Sequence, residues 1–223
     1  MAKNSVNTRP FRKWTVDDVA EIFGAQRVRK HPRLEAWIDE ALKELPLFSK
    51  EQRGMILELV SRLEPNAEVW NEEELKVQFI GPLMFWVDYT DTRYKAFLER
   101  PLAATINGIE ISGDVDFMLA TGLSRPKEPF FFLHEYKRQF RGENDPLGQL
   151  LVAMIAAREL NAVKRPMYGA VVQGLNWFFV VLDGLEYSVS SVFIATDKED
   201  IFRIIAVLRY IRVIIDGFLT EKS

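Results

Sequence analysis

The chain of 223 residues has no cysteine and only two histidines, His31 and His134. Without cysteine there is neither a disulfide framework nor a thiolate metal site, which fits a reducing compartment. Two histidines exclude a His-rich metal centre and a paired-histidine helix motif. There is no Gly-rich phosphate loop and no dinucleotide fingerprint, and no motif places either histidine in a Ser-His-Asp triad. ATP, NAD and acyl-transfer chemistry therefore have no support. Long apolar runs are also missing: stretches such as Leu150 to Ala157 and Trp177 to Leu182 are too short to cross a bilayer. The first residues lack the apolar stretch of a signal peptide. These absences predict a soluble, cytoplasmic protein that makes no use of a membrane.

Hydrophobic residues make up 48% of the chain, enough to build a sizeable core. The net charge of −3 does not by itself mark a nucleic-acid binder, but the charge is unevenly spread. Residues 1–34 hold eight Lys/Arg against three acids, a difference of +5, which leaves −8 for the rest. That segment is a candidate phosphate-binding face, weighed against an ordinary solvated helical surface.

The first third reads as helical. Thr15 with Asp18 forms a capping box for a helix reaching Gly24. Pro32 opens a second helix whose apolar positions run from Leu34 to Leu45. Ser49 with Gln52 caps a third, stopped by Pro65. Asn71 caps a helix beginning at Glu72, with a kink or break expected at Gly81-Pro82. The period then changes to alternation. Leu102 to Ile106 and Ile109 to Leu119 flank Asn107-Gly108, a strong hairpin signal. A strand is predicted from Phe130 to Phe140, then a helix over Asp145 to Leu160 with Pro146 in its first turn. Met167 to Val172 and Trp177 to Leu182 make a second hairpin, Tyr187 to Ile194 a further strand. Thr196 with Glu199 is predicted to cap a last helix burying Ile201, Ile204, Ile205, Leu208, Ile211 and Ile215. This order predicts an α/β domain, a mixed sheet packed between helices, over residues 69–223, with a helical N-terminal extension over 1–68.

The chemistry-bearing stretch is Gly113-Asp114-Val115-Asp116-Phe117, followed by Leu133-His134-Glu135-Tyr136-Lys137. Residues i and i+2 of a strand share a face, so Glu135 and Lys137 point one way and His134 and Tyr136 the other. Asp116 opens an apolar segment expected to neighbour this strand. Two carboxylates and a lysine converging at one sheet edge suit phosphodiester hydrolysis. Hard oxygen ligands are what Mg²⁺ or Mn²⁺ prefers, and a nearby lysine can orient an attacking water.

These residues resemble the PD-(D/E)XK nuclease superfamily, which includes restriction endonucleases and DNA-repair nucleases. Asp116 matches its aspartate and Glu135-Tyr136-Lys137 its (D/E)-X-K element; Val115 stands where a proline is usual. The resemblance covers roughly residues 70–190. It implies a restriction-endonuclease-like fold and a Mg²⁺- or Mn²⁺-dependent hydrolase acting on nucleic acid, DNA first, with a homodimer as a compatible assembly. It implies a helix glutamate at the metal site, for which Glu72 is preferred over Glu73, while Glu74 is assigned to capping. It also implies a site role for Gln149 on the helix after the E-X-K strand. The implied metal ligands are Asp116, Glu135 and Glu72, and Lys137 positions the water.

Asp114 is the competing aspartate, weighed against a solvated position on the strand. His134 is expected to be packed in the core, as are Trp70, Trp86 and Trp177. Arg138 and Arg141 are candidates for meeting phosphate. The contrasting function is a catalytically inactive module that keeps the fold and binds nucleic acid or a protein partner; a weaker variant gives the helical N-terminus the partner-binding role.

Overall fold

The computed structural model describes residues 7–137 and 145–220. A short strand, β1 (Asn7–Pro10), leads through one 3-10 turn (Phe11–Lys13) into three helices: α1 (Val16–Phe23), α2 (Pro32–Lys43) and α3 (Lys50–Leu63). A two-residue strand, β2 (Gln26–Arg27), separates α1 from α2. Next comes one helical run in three pieces: α4 (Glu72–Leu75), a π turn (Lys76–Ile80) and α5 (Gly81–Val87). The remaining elements are β3 (Lys95–Ile106), β4 (Ile109–Thr121), β5 (Lys127–Lys137), α6 (Pro146–Leu160), β6 (Met167–Gln173), β7 (Asn176–Asp183), β8 (Glu186–Val189), β9 (Phe193–Ile194) and α7 (Asp200–Thr220).

Among the described residues the strands form one nine-stranded mixed sheet, ordered β1-β4-β5-β6-β7-β8-β2, with β3 added on β4 and β9 on β7. Pairings β1–β4, β5–β6 and β2–β8 are parallel and the rest antiparallel. Helices cover both faces, the α/β layering that the order of elements predicts. One face packs Phe117, Phe132, Trp177 and Phe179 against α2, α3, α5 and α7. The other packs Met118, Leu133, Val171 and Val180 against α1 and α6. Among the described residues no helix is long and apolar enough to cross a membrane.

Most helix boundaries follow local chemistry. The capping boxes at Thr15, Ser49 and Asn71 are formed, and Gly24 ends α1 in the left-handed region at φ 72°. Helix α2 stops at Lys43 and leaves Leu45 exposed, short of the predicted end. Pro46 disfavours helical backbone at the residue before it. At Gly81-Pro82, where a kink or break is expected, the helix carries a π turn and does not end. Proline has no N–H and crowds the carbonyl four residues back, and the helix answers by widening: Gly81 N–H donates to the Lys76 carbonyl. At α7 the cap is Asp197, not Thr196: its Oδ1 accepts the N–H groups of Glu199 and Asp200, both at 2.9 Å.

The strands run longer than predicted at two places. β3 begins at Lys95, and β5 at Lys127, where the register against β4 slips between Leu119 and Thr121. Pro129 lies in this stretch and cannot give the ladder an N–H. The predicted end of β5 at Phe140, with Arg138 and Arg141, lies outside the described residues. The strand expected over Tyr187 to Ile194 is two short strands, β8 and β9, both paired to β7. Asn107 and Gly108 both have positive φ, 53° and 78°, as a type I′ hairpin turn requires.

The described part of the N-terminal segment, residues 7–68, contributes to the same cores as the rest. β1 pairs with β4, and Trp37 of α2 donates its ring N–H to the Val207 carbonyl of α7 while meeting Phe132, Tyr168 and Phe179 edge-on. The sequence pattern does not announce strands β1 and β2, because two to four residues are too few to show a period.

Candidate active site

β4 holds a different neighbour at each end of one edge. β1 pairs with residues 109–112 and β5 with residues from Phe117 onward. Asp116 sits at the gap between them. Continuing the β4–β5 register one step past Phe117–His134 sets Asp116 opposite Glu135. Residues opposite one another in an antiparallel pair share a face, so Asp116, Glu135 and Lys137 are on the same side of the sheet. The ladder is replaced here by a side chain: Tyr136 N–H donates to Asp116 Oδ2 at 2.8 Å.

The helical run places further charge against this row. Asn71 and Glu74 close the capping box, which commits Glu74 to structure. One residue into α4, Glu72 reaches the site. Its Oε2 is 3.5 Å from Lys137 Nζ and its Oε1 is 3.2 Å from Lys76 Nζ. Lys137 Nζ is also 2.6 Å from Glu135 Oε1, an ion-pair distance off the line of a good hydrogen bond. Lys76 Nζ lies 2.9 Å from Asp116 Oδ1, 2.6 Å from Glu99 Oε1 and 3.3 Å from Glu73 Oε1. A continuous chain of ion pairs thus runs Asp116, Lys76, Glu72, Lys137, Glu135.

Burial sets the electrostatics. Asp116 is 9% exposed and Glu135 3%. Desolvation raises the pKa of Asp116, against the pull of the Tyr136 N–H and of Lys76. Desolvation, helped by the Asp116 charge, lifts Glu135 to about 8, with Lys137 pulling the other way. Burial lowers both lysines, but their carboxylate partners outweigh it, so Lys76 and Lys137 end above the ordinary lysine value. Both ammonium groups are therefore charged. Five carboxylates (Glu72, Glu73, Glu99, Asp116, Glu135) face two ammonium groups, an excess of three negative charges when all are ionised.

The predicted residues Asp116, Glu135, Lys137 and Glu72 are brought together. Glu72 is the half-buried helix glutamate that touches Lys137; Glu73 touches Lys76 and is 76% exposed. Gln149 lies on α6, which covers the face bearing Glu135. Its Oε1 is buried without a partner, and among the described residues no hydrogen bond joins it to the charged group. Asp114 is exposed on β4, as weighed. His134 points to the opposite face, fully buried, 2.8 Å from the Tyr136 hydroxyl, and burial lowers its pKa to about 3. Trp177 is core, while Trp70 and Trp86 are partly buried against it.

Two members of the group are not among the residues predicted from sequence. Lys76 stands four residues after Glu72, a spacing that puts both on one helix face and could have signalled it. Glu99 follows from the β3–β4 register, which sets it opposite Asp116. It precedes Pro101 in a stretch without alternation, and its φ of 48° puts it in the left-handed region, so no local pattern points to it.

The donor set suits a hard divalent cation: carboxylate oxygens, two of them on the buried Asp116 and Glu135, in a site with surplus negative charge. Among the described residues, no three acidic or imidazole groups already converge as a coordination shell. Lys76 Nζ stands between Asp116 and the helix glutamates instead. Comparison with models of known protein families and with curated protein sequences gives no match.

Proposed function

We propose that this chain is a divalent-metal-dependent nuclease of the PD-(D/E)XK kind, with a restriction-endonuclease-like arrangement of its mixed sheet, acting on DNA. The observation that carries the proposal is the meeting of Asp116, Glu135 and Lys137 on one face where β4 and β5 part, with Glu72 reaching in from α4. Asp116, Glu135 and Glu72 would hold Mg²⁺ or Mn²⁺. Bound there, the ion supplies charge stabilisation at the scissile phosphate and acidifies the attacking water.

The chain's own residues supply the rest. Lys137, anchored between Glu135 and Glu72, presents an ammonium N–H to orient the water against the phosphate. The Tyr136 N–H fixes the rotamer of Asp116 by holding Oδ2. The Phe11 ring fills the space over Gly113, where a Cβ would come within 2.7 Å of it, and this packing brings Arg12 and Lys13 alongside β4. Gly113 is three strand residues from Asp116, roughly 10 Å, so these exposed cations can meet the DNA backbone beside the site.

The test is cleavage of linear and circular DNA with Mg²⁺ or Mn²⁺ and with EDTA. Asp116→Ala and Lys137→Ala are each expected to lose about 10²-fold or more in rate. Equal rates in all three proteins would overturn the assignment.

A second reading is favoured by one observation. Lys76 places its ammonium among four carboxylates and so neutralises part of the site from within. That suits an inactive nuclease-fold module that binds nucleic acid or a protein partner. DNA affinity that persists in EDTA, without Mn²⁺ uptake or cleavage, would select it.

A further inference from the structure

Lys76 stands at the centre of the charged group. Its Nζ has two partners on the sheet side and helix base, Asp116 Oδ1 at 2.9 Å and Glu72 Oε1 at 3.2 Å. It has two outer partners, Glu99 Oε1 at 2.6 Å and Glu73 Oε1 at 3.3 Å. Both Asp116 oxygens are engaged: Oδ2 accepts the Tyr136 N–H and Oδ1 accepts from Lys76. A divalent ion approaching Oδ1 would meet the ammonium at the same carboxylate oxygen, and like charges at that separation repel strongly in a half-buried site. The side chain of Lys76 is only 14% exposed, so it is held there, whereas Glu73 is 76% and Glu99 53% exposed. The two outer carboxylates offer a place for the ammonium to move while staying paired. Lys76 is also the first residue of the π turn, where the backbone ladder is already widened.

We propose that Lys76 is a built-in cation that competes with the divalent ion for Asp116, holding the carboxylates together in the metal-free protein and swinging to Glu73 and Glu99 when the ion binds. The proposal rests on the metal-site reading of Asp116, Glu135 and Glu72. Lys76 is a positioning residue: it sets how much metal the site needs and takes no part in the chemical step. Removing it takes away the internal competitor and frees Asp116 Oδ1, so affinity for metal rises.

The experiment is calorimetric titration of the full chain with Mn²⁺, beside Lys76→Met and Asp116→Asn. The expected result is Mn²⁺ binding that Asp116→Asn abolishes and that Lys76→Met strengthens by about tenfold or more. Binding by the unsubstituted chain that Lys76→Met leaves unchanged or weakens would overturn the competition while leaving the metal site standing. Absence of Mn²⁺ binding in both proteins would overturn the metal site and the competition with it. Should Lys76→Met fail to fold, NMR of the lysine ammonium groups in the unsubstituted chain decides the matter. Mg²⁺ is expected to shift the Lys76 Nζ signal and speed its proton exchange with water; a signal unmoved by saturating Mg²⁺ would overturn the proposal.

Discussion

Glu135 is a carboxyl group held almost wholly inside the protein, its pKa lifted from 4.5 to about 8 by burial and by the neighbouring Asp116 charge. The folded state therefore holds this proton more tightly than the unfolded chain does. The associated stability is fully present below about pH 4.5 and is lost as pH rises through about 8. Asp116 is raised in the same sense. His134 acts oppositely on the acid side, since burial lowers its pKa to about 3 and stability falls as pH drops below 6.5. In denaturant titrations without metal, the protein is expected to lose roughly 2 kcal/mol between pH 6.5 and 8, above the range in which His134 opposes the change. Glu135→Gln should remove most of that slope, and a slope equal to that of the unsubstituted chain would show that Glu135 does not carry it. Residue-level legibility follows the same physics. Two-residue alternation along an apolar strand puts Glu135 and Lys137 on one face; their grouping with Asp116 and the choice of Glu72 come from the family resemblance. Glu99 is reached by neither, because its partner is set by a register that no local pattern encodes.

At the scale of elements, close approach explains a glycine that helix propensity would disfavour. Asp145 caps α6 through the N–H groups of Leu147 and Gly148, and its Oδ2 accepts the Val16 N–H, tying α6 to the start of α1. A Cβ on Gly148 would lie 2.5 Å from the Thr15 carbonyl carbon and 2.6 Å from the Trp14 oxygen, both backbone atoms that cannot step aside. Gly148→Ala is expected to destabilise by about 1–3 kcal/mol. Gly54, in α3, has nothing within 4 Å of its Cβ position, and Gly54→Ala is expected to stabilise by about 0.5–1 kcal/mol. Thermal melts of the two variants should move in opposite directions; a shared direction would refute the packing argument. Caps made by side chains two or three residues away are legible in the sequence, because both partners lie within one turn of chain. The widened turn at 76–80 is not: Pro82 announces that something must give, but packing of Leu75, Phe79 and Leu83 in the core decides that the helix widens instead of ending.

At the scale of the whole molecule, the basic excess of the first 34 residues is partly spent on internal pairs. Arg9 binds Asp18 and Arg33 binds Asp183. Arg12 and Lys13 remain exposed, directly after Phe11, whose ring packs over Gly113 of β4. If DNA lies across these two residues, affinity measured by anisotropy should fall steeply with salt. Replacing both residues with alanine should lower the slope of log K against log salt by about 2. An unchanged slope would place the DNA elsewhere.

The sequence by itself determined what short-range chemistry controls: the capped helices, the Asn107-Gly108 hairpin, the α/β order of elements and the shared face of Glu135 and Lys137. Those features depend on neighbours within a few residues, and the period of a helix or strand writes them into the chain. The tertiary structure decided what depends on distance along the chain. It set Asp116 opposite Glu135, carried β1 onto β4, drove Trp37 into the main core, and placed Lys76 and Glu99 in a site otherwise drawn from α4, β4 and β5. Strand register and helix docking are settled by the joint burial of surfaces far apart in sequence, and no stretch of residues carries that information by itself.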